Sequence, residues 1–495
     1  MTLDELMGEL PEARLVAPGG ASPEPGGTTV TAVVNRADQA VPGTLFCAIP
    51  GLRADGHDFA PAAVAAGAVA VLAERPLDLP VPQIVVPDAR LGLALAASAL
   101  AGHPSRDLDV VGVTGTNGKT TSAFLLQAVL EAAGRRCGLI GTVEARVGGV
   151  VEPVTHTTPD AVALQALLAR MRAAGDTACA MEVSSHALDQ RRVAGMRFAA
   201  ALFTNLTRDH LDYHSDVESY FAAKRALFAR PAGEGEDPPG AANLDDPFGR
   251  RLAQETGALG YAVGAADAAV RPVEVDGLDT GIRARIATPR GPLEITSRLR
   301  GSFNLANLTG VVAVAELLEL PHPAVAAGIA AVGGVPGRFE AIDCGQGYPV
   351  IVDYAHTPDS LDNVLRTARE LVTGGSLIAV FGCGGDRDRG KRPQMGDVTR
   401  RLADVAVVTS DNPRSEDPEA IIADIVAGDG GPAELVVEPD RRSAIALAIT
   451  RAGRGDVVVV AGKGHEQGQE RNGVVTPFDD RDVAREILTG SGQQA

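Results

Sequence analysis

Residues 110–121 of the chain read VVGVTGTNGKTT: an apolar β-branched run, a glycine-rich turn, then the start of a helix-compatible segment at 122–133. Glycines in such a turn let backbone N–H groups surround phosphate oxygens, and the helix N-terminus adds partial positive charge. Lys119 would reach the terminal phosphates and the Thr120 hydroxyl would bind Mg²⁺. The strict Gly-x₄-Gly-Lys-Thr pattern is missed by one residue, because Val113 stands at the first glycine position. The stretch predicts a nucleoside-triphosphate site built from Gly115, Thr116, Asn117, Gly118, Lys119, Thr120 and Thr121.

The composition limits the number of domains and the kinds of partner. A chain of 495 residues suggests about three domains of ~150 residues, and the apolar fraction of 45% is ordinary for globular cores. The formal net charge of −18 argues against nucleic acid, whose phosphates would be repelled. The five cysteines include no Cys-x-x-Cys pair, which disfavours a disulfide framework or a structural zinc site.

The start of the chain and its hydropathy bear on location. The first residues, MTLDEL, lack the basic start and apolar core of a signal peptide. No run of ~18 apolar residues occurs. We therefore expect a cytoplasmic protein without a membrane span.

Two segments rich in glycine and proline, 102–105 (GHPS) and 332–337 (VGGVPG), predict domain boundaries. We expect an α/β protein with a small α/β domain over 1–105, a central domain over 106–335 and a Rossmann-like domain over 336–495. The central domain should contain a P-loop-type, mostly parallel sheet with helices on both faces, including strands at 178–183 and 199–204. In the first domain, the small apolar residues of 60–71 predict a helix.

The third region contains apolar runs that each end in a polar cluster. The runs are 350–352, 377–381, 405–408 and 457–460, and the clusters that follow are 353–356, 382–387, 409–414 and 461–466. Continuous apolar strands alternating with helices indicate a parallel sheet covered on both faces. Ligands of such sheets bind beyond the carboxyl ends of the strands. The pattern therefore predicts a binding site made of these clusters.

The middle region adds acidic and imidazole groups. Glu182 closes one predicted strand and offers a carboxylate to a Mg²⁺ ion at the P-loop. His210 and His214 stand four residues apart, a spacing that also suits zinc, although no His-Glu-x-x-His signature accompanies it. Capping and packing within a turn is the structural alternative for both histidines.

Three segments of the middle region, 116–121 (TNGKTT), 182–186 (EVSSH) and 204–214 (TNLTRDHLDYH), resemble the Mur ligase family. The similarity runs over essentially all three regions. The family comprises ATP-dependent amide-forming enzymes of bacterial cell-wall precursor synthesis, related to folylpolyglutamate synthases. The resemblance implies that ATP phosphorylates a substrate carboxylate and that an amine then attacks the acyl phosphate. Mg²⁺ and lysine would lower the repulsion between the two anionic reactants.

The resemblance also implies roles for five side chains of the middle region. The family carries a carbamylated lysine, and segment 220–228 (YFAAKRALF) matches it with Lys224 in that role. Addition of CO₂ converts the lysine to a carboxylate that can bind or orient around a metal; from the sequence alone Lys224 is an ordinary helix-surface lysine. The implied catalytic residues are Lys119, Lys224, His210 and Glu182. The implied metal-binding residues are Thr120, Glu182, His210 and Lys224.

Further nucleotide contacts are implied by segments 301–307 (GSFNLAN), 337–340 (GRFE) and 353–358 (DYAHTP), which resemble the parts of the family that close over ATP. The cofactor-binding residues that follow from this resemblance are Asn304, Asn307, Arg338 and Asp353. Without the family, helix capping by asparagine and a Thr-Pro turn would explain the same residues.

The segment 411–414 (DNPR) resembles the signature of family members that add diaminopimelate rather than lysine. Diaminopimelate carries a second amino-acid head, and a guanidinium pairs bidentately with its carboxylate. A generic surface salt bridge is the alternative for Arg414. Gly462 and Glu466 match positions that would receive the distal ammonium. The implied amino-acid site comprises Arg387, Asp411, Asn412, Pro413, Arg414, Gly462 and Glu466.

The second implied substrate is the UDP-N-acetylmuramoyl dipeptide. Its predicted contacts are Thr157, Thr158, Ser184, Gln190 and Arg192, the last facing the glutamyl carboxylate. Two positions depart from the family: His156 replaces a more usual asparagine, and 36–38 (RAD) stands where Asp-Ser-Arg is common.

The resemblance thus implies an enzyme that joins meso-diaminopimelate to the D-glutamate of UDP-N-acetylmuramoyl-L-alanyl-D-glutamate, with ATP, Mg²⁺ and a carbamylated lysine. Same-family ligases that add L-lysine or another amine are the nearest alternative. A P-loop nucleotide-binding module without ligase activity is the alternative from a different class. We expect a monomer, although the sequence leaves the oligomeric state open.

Overall fold

The computed structural model describes residues 1–18, 27–51, 54–231, 234–278 and 281–491. Three large sheets follow one another along the chain, each covered by helices. They fall, in order, within the three ranges predicted as domains. The α/β class and the mostly parallel central sheet expected from the sequence are confirmed.

The first sheet belongs to the N-terminal region. Its strand order is β1-β5-β4-β3-β2, with β1 antiparallel to β5 and the other pairs parallel. The elements of this region are α1 (Leu3–Met7), β1 (Arg14–Val16), β2 (Ala32–Val34), β3 (Thr44–Cys47), α2 (Ala60–Ala65), β4 (Ala70–Ala73), β5 (Gln83–Val85) and α3 (Ala89–Leu100).

One prediction in this region is wrong. Residues 60–71 do not form a single helix, because α2 ends at Ala65 and Ala70 already belongs to β4. Gly67, with a φ of 117°, separates the two. A Cβ at this glycine would lie 2.9 Å from the Pro42 nitrogen, so the chain needs glycine to turn here.

The central sheet has the order β13-β12-β11-β6-β10-β7-β8-β9, parallel from β13 to β7 and antiparallel at β8 and β9. A separate antiparallel sheet, β14-β15-β16, was not predicted. The elements are β6 (Asp109–Thr114), α4 (Lys119–Ala132), β7 (Cys137–Ile140), β8 (Ala145–Val147), β9 (Val150–Glu152), α5 (Ala161–Ala173), β10 (Ala178–Glu182), α6 (Ser185–Asp189), β11 (Ala200–Phe203), α7 (Val217–Arg225), β12 (Gly240–Asn243), α8 (Pro247–Thr256), β13 (Leu259–Tyr261), β14 (Arg271–Asp276), β15 (Ile282–Ala287), β16 (Leu293–Ser297), α9 (Ser302–Leu317) and α10 (His322–Ala331).

The C-terminal sheet has the order β17-β18-β22-β19-β20-β21, parallel except for β17. The predicted runs coincide with its strands, whose buried faces on both sides explain their continuous apolar character. The elements are β17 (Glu340–Ile342), β18 (Val350–Asp353), α11 (Pro358–Glu370), β19 (Leu377–Phe381), α12 (Lys391–Leu402), β20 (Val405–Val408), α13 (Pro418–Val426), β21 (Glu434–Val437), α14 (Arg441–Arg451), β22 (Val457–Ala461), β23 (Gly468–Arg471), β24 (Val474–Pro477) and α15 (Asp480–Ser491).

Each large sheet packs its own apolar clusters. The central sheet has one cluster under α4, α9 and α10 and another on the opposite face under α5, α7 and α8. The C-terminal sheet is likewise covered on two faces. Among the described residues, no helix combines the length and the apolar character that crossing a bilayer requires.

Candidate functional site

A cavity of about 760 Å³ lies between the central and C-terminal sheets. It is lined by the segments that follow β6, β10 and β11 of the central sheet and β18, β19, β20 and β22 of the C-terminal sheet. The carboxyl ends of both parallel sheets therefore face one space, as expected for α/β ligand sites. The polar clusters that the sequence places after separate strands meet here.

The glycine-rich turn after β6 takes a conformation that only glycine adopts easily. Gly115 has a φ of 150° and Gly118 a φ of 86°. A Cβ at Gly118 would lie 2.3 Å from Asn307 Oδ1, and one at Gly115 would lie 1.9 Å from Thr204 Oγ1. The turn is thus packed against two neighbouring segments while α4 begins at Lys119. The N-terminus of a fourteen-residue helix faces the cavity and favours an anion there.

Glu182, at the end of β10, is the centre of a buried hydrogen-bond network. Its Oε2 accepts bonds from the Thr120 hydroxyl (3.1 Å) and the Thr142 hydroxyl (3.0 Å). Its Oε1 accepts the Thr142 N–H at 2.7 Å. The structure therefore brings together the P-loop hydroxyl and the carboxylate that the sequence assigns to one Mg²⁺ ion. Thr142 follows β7, and its place at the end of a neighbouring strand is a signal that sequence reasoning missed.

Two lysines converge on one backbone carbonyl of the P-loop. Lys119 Nζ donates to the Gly115 carbonyl at 2.9 Å, and Lys224 Nζ donates to the same oxygen at 2.8 Å. Lys224 is 1% exposed and its ammonium lies 4.5 Å from the centre of the Tyr220 ring. Burial, followed by repulsion from Lys119, holds the pKa of Lys224 well below its usual value. The prediction of a surface lysine from the sequence alone is wrong.

Histidines line the cavity beside Lys224. The His210 ring lies 4.9 Å from that of His186, and its Nε2 lies 3.4 Å from Asp209 Oδ2. Burial lowers the pKa values of His186 and His210, which favours neutral imidazoles. His214 instead bonds to the Ser185 hydroxyl at 3.0 Å. Within the described ranges, no cluster of three or more His, Cys, Asp or Glu side chains is arranged to hold a metal, so the zinc alternative gains no support from geometry.

The residues predicted for the dipeptide form a connected edge of the cavity. The Thr158 hydroxyl donates to the Glu182 carbonyl at 2.9 Å and accepts the Ser184 N–H at 3.1 Å. Arg192 donates to the Thr158 carbonyl at 2.7 Å and to Gln190 Oε1 at 2.8 Å. These bonds leave Arg192 lining the cavity with its guanidinium oriented by two partners.

The C-terminal region reaches back to the P-loop. Arg338 Nη2 donates to the Thr120 hydroxyl at 2.9 Å, and the guanidinium stacks over the Tyr354 ring at 4.4 Å. Asp359, at the start of α11, accepts a 2.8 Å bond from Asn117 Nδ2. Groups from both sheets therefore surround the expected phosphate position.

Of the three other residues predicted to contact the nucleotide, Asp353 and Asn307 line the cavity and Asn304 does not. Asp353 is buried and accepts backbone bonds from Phe339 (2.6 Å) and Ala355 (2.7 Å). Burial raises its pKa. Asn304 Nδ2 donates to the Arg300 carbonyl at 2.8 Å, while Asn307 lies against the P-loop.

The cavity wall also includes residues predicted to bind an amino acid. Asn412 Nδ2 donates to Glu466 Oε2 at 2.8 Å, and the fully buried Lys463 donates to Asn412 Oδ1 (3.1 Å) and Glu466 Oε2 (3.0 Å). Gly462 has a φ of 121°, and a Cβ there would lie 2.5 Å from Asp411 Oδ2. Lys463, for which the sequence predicts no individual role, thus orients two of the predicted residues.

The two arginines predicted to bind the distal carboxylate of the amino acid lie on neighbouring loops. Arg387 follows β19 and Arg414 follows β20, and both line the cavity. Arg414 has a φ of 52°, and its Nη1 donates to the Gly385 carbonyl at 2.6 Å. A Cβ at Gly384 would lie 2.9 Å from Arg414 Nη1 and 3.9 Å from Arg387 Cγ, so both side chains pass the same glycine.

Most of the predicted site residues line this cavity, and a few lie behind it. Those on its wall are Thr116, Asn117, Gly118, Lys119, Thr120, Thr121, Thr157, Thr158, Glu182, Ser184, Arg192, His210, Lys224, Asn307, Arg338, Asp353, Arg387, Asp411, Asn412, Arg414, Gly462 and Glu466. Those outside its lining are Gly115, Gln190, Asn304 and Pro413. Other residues of the lining, to which the sequence assigned no individual role, include Thr142, Asp209, His356, Lys391 and His465.

Comparison with protein-family models gives matches in all three regions. Residues 30–101 match the Mur ligase family catalytic domain, 113–315 match the Mur ligase middle domain and 337–464 match the Mur ligase glutamate ligase domain. Together these models cover most of the chain.

Curated relatives are similar over nearly the whole length. The chain is 48% identical over 455 residues to the UDP-N-acetylmuramoyl-L-alanyl-D-glutamate–2,6-diaminopimelate ligase of Gloeobacter violaceus, covering 91% of this chain and 92% of that protein. It is 45% identical over 499 residues to the enzyme of the same name from Solibacter usitatus, covering 99% of each.

Solved structures extend the comparison to the fold. A ligase with that same name superposes with a TM-score of 0.66 at 34% identity, covering 94% of this chain and 95% of that one. MurF ligase from Thermotoga maritima, solved in complex with ADP, has a TM-score of 0.61 at 18% identity, covering 94% and 99%, and shares the fold.

Proposed function

This chain belongs to the Mur ligase family and is an ATP-dependent, ADP-forming ligase, and we propose that it adds meso-diaminopimelate to the D-glutamate of UDP-N-acetylmuramoyl-L-alanyl-D-glutamate in peptidoglycan precursor synthesis. One observation carries the proposal. A single cavity is lined both by P-loop residues 116–121 and by the Arg387 and Arg414 side chains. A phosphate donor and a dicarboxylic amino acid can therefore reach one substrate carboxylate placed between them.

The residues at the P-loop fit ATP and Mg²⁺. Glycines at 115 and 118 leave no room for a Cβ, and the side-chain oxygens of Thr120 and Glu182 are hard donors of the kind that Mg²⁺ prefers. When bound, Mg²⁺ would neutralise charge on the transferred phosphoryl group. Lys119 would turn from the P-loop carbonyls to the phosphates, and Arg338 would approach the same anion from the C-terminal sheet.

The environment of Lys224 fits carbamylation. Two ammonium groups cannot share the Gly115 carbonyl without repulsion, and the lowered pKa of Lys224 favours its neutral amine, which is the form that adds CO₂. The carbamate keeps one N–H, so the bond to the Gly115 carbonyl can persist. Its carboxylate would face Lys119 and the metal site, where negative charge is favoured. We therefore propose that Lys224 works as the carbamate, with His210 beside it.

The chain's own groups can also position the two organic substrates. Arg192, oriented by Thr158 and Gln190, would pair with the free carboxylate of the D-glutamyl residue. Arg414 and Arg387 would pair with the distal carboxylate of diaminopimelate, and Glu466 would accept its distal ammonium. The α-amine that is left then attacks the acyl phosphate, forming the amide and releasing phosphate.

The decisive experiment measures ADP release by the purified chain with ATP, Mg²⁺ and the UDP-dipeptide, adding meso-diaminopimelate, LL-diaminopimelate or L-lysine in parallel. Turnover with meso-diaminopimelate, and with neither of the other two amines, supports the proposal. Turnover with L-lysine would agree with a ligase of this family but contradict the proposed selectivity for diaminopimelate. ADP release that needs neither the dipeptide nor an amine would favour a P-loop module without ligase activity.

A cytoplasmic location and a monomeric state stay predictions.

Substitution of Thr142 by valine is expected to raise the Mg²⁺ concentration needed for half-maximal activity by about 10–100-fold, the usual effect of losing a group that orients a metal ligand. Valine keeps the shape but removes the hydroxyl that donates to Glu182 Oε2. Magnesium titrations of ADP release measure the effect. Thr177→Val, at an exposed threonine before β10, serves as the control. An unchanged magnesium requirement would show that Thr142 does not orient Glu182.

A further inference from the structure

The loops that carry Arg387 and Arg414 are joined by one carboxylate. Glu416 Oε1 accepts the Asp386 N–H at 2.6 Å, next to Arg387 in sequence. The same carboxylate accepts Arg392 Nη2 at 2.8 Å and Nη1 at 3.1 Å. Glu416 lies two residues after Arg414, so its side chain connects the loop after β20 to the loop after β19 and to the first turn of α12.

The backbone of the two loops is correspondingly close. A Cβ at Gly385 would lie 1.9 Å from the Pro413 carbonyl oxygen, and the Gly385 N–H donates to the Asn412 carbonyl at 2.9 Å. A second side-chain bond joins the same two loops. Here the loop after β20 supplies the donor, because the Ser415 hydroxyl donates to Asp386 Oδ1 at 2.7 Å. The relative position of the two loops therefore depends on Glu416 and on a small set of bonds around it.

The charges explain why a carboxylate stands at this place. Arg392 is 1% exposed and needs negative partners, which Glu416 and the half-exposed Asp424 provide. The hydrogen bonds from Arg392 lower the pKa of Glu416 to about 2, which favours the ionised carboxylate. The two partners of Arg392 differ in one respect. Glu416 contacts both arginine-bearing loops. Asp424 lies on α13, is half exposed, and accepts a 2.9 Å bond from Arg392 Nη1.

We propose that Glu416 is a positioning residue for amino-acid selection, which holds Arg387 and Arg414 at the separation that fits the distal carboxylate of diaminopimelate. This inference rests on the proposed function. Guanidinium–carboxylate pairing is directional, so a shift of one loop against the other weakens both pairs together. We expect ATP binding at the P-loop to be unaffected, because the Glu416 bonds to Asp386 and Arg392 do not involve residues 116–121.

The test is steady-state kinetics of Glu416→Gln, in which shape is kept and charge and one acceptor are lost. We expect the KM for meso-diaminopimelate to rise about tenfold, the scale of one weakened charged hydrogen bond. The kcat and the KM values for ATP and for the UDP-dipeptide should stay within about twofold of those of the unsubstituted chain. Asp424→Asn is the matched control, since it removes the other partner of Arg392 without touching either loop; its KM for diaminopimelate should not change.

Ser415→Ala provides an independent variant at an exposed position, and it keeps the inference testable if Glu416→Gln does not fold. It removes the bond to Asp386 and should raise the same KM about threefold, a smaller effect of the same kind.

The outcomes separate the inference from the function on which it rests. If the unsubstituted chain does not use diaminopimelate, the proposed function fails. If it does, an unchanged KM in Glu416→Gln and Ser415→Ala overturns the inference alone. Equal rises in Glu416→Gln and Asp424→Asn, or rises in the KM values of all three substrates, would assign the effect to general stability and overturn it as well.

Discussion

Replacement of Lys224 by alanine is expected to lower ligase turnover by roughly 10²–10³-fold, the scale seen when a group that stabilises developing charge is removed. The physical reason is the loss of the carbamate carboxylate that we propose at this position. Without it, Lys119 would face the reacting anions with one negative neighbour fewer, beside the carboxylates of Glu182 and Asp209. ADP release in the full ligase assay measures the loss.

The carbamate itself has a separate readout. The lowered pKa leaves the Lys224 amine neutral at pH values where exposed lysines are protonated, so CO₂ should add as the pH rises through that lowered pKa. Activity of the unsubstituted chain should fall after CO₂ removal and return with bicarbonate. A carbamate signal from ¹³C-labelled bicarbonate should appear in the unsubstituted chain and be absent from Lys224→Ala.

The matched control is Arg225→Ala. Arg225 is the next residue of α7 but is directed away from the cavity, toward Glu255. It should keep its activity within about twofold, as surface substitutions usually do. Full activity of Lys224→Ala, or indifference of the unsubstituted chain to CO₂, would contradict the role of Lys224.

The second large effect is expected from Arg414→Ala, which should raise the KM for meso-diaminopimelate about 10²-fold or more. This corresponds to about 3 kcal/mol, within the range for losing one partner of a buried charged pair. The KM of Arg414→Lys for meso-diaminopimelate should lie between those of the unsubstituted chain and of Arg414→Ala. Lysine keeps the positive charge but lacks the two parallel N–H donors of a guanidinium. The KM for ATP should not change.

Arg471→Ala is the control for this position. Arg471 is exposed and forms a backbone bridge with Arg414, so its side chain can be removed without loss of a cavity group. Kinetics with varied diaminopimelate at saturating ATP and UDP-dipeptide give the comparison. Unaltered use of diaminopimelate by Arg414→Ala would contradict the assignment of selectivity to this residue.

Local sequence was sufficient for the sheet strands and for the P-loop. The apolar runs at 377–381 and 405–408 coincide with β19 and β20 because strands buried on both faces admit few polar residues. The P-loop was predictable because its conformation depends on neighbouring residues, above all on the glycines at 115 and 118. The helix predicted over 60–71 failed because small apolar residues suit a helix and a buried strand alike.

The contacts that make a site could not be predicted in the same way. Asn117 and Asp359 are 242 residues apart, and Thr142 reaches Glu182 from 40 residues away. No local preference encodes such pairs, since they depend on which strands are neighbours in the sheet and on how the two sheets face each other. The roles of Thr142, Lys463 and Glu416 therefore became visible only from the packed structure.

By itself, the sequence determined a phosphate-binding turn, the apolar strands and the polar residues that follow them, because each depends on the backbone conformation or burial of a short segment. Its resemblance to known ligases supplied the identity of the chemistry. Only the tertiary structure decided that Lys224 is buried beside Lys119 and that Arg387 and Arg414 share one cavity with the P-loop. Burial and charge separation are properties of the packed chain, and they turn a surface-like lysine into a candidate for carbamylation.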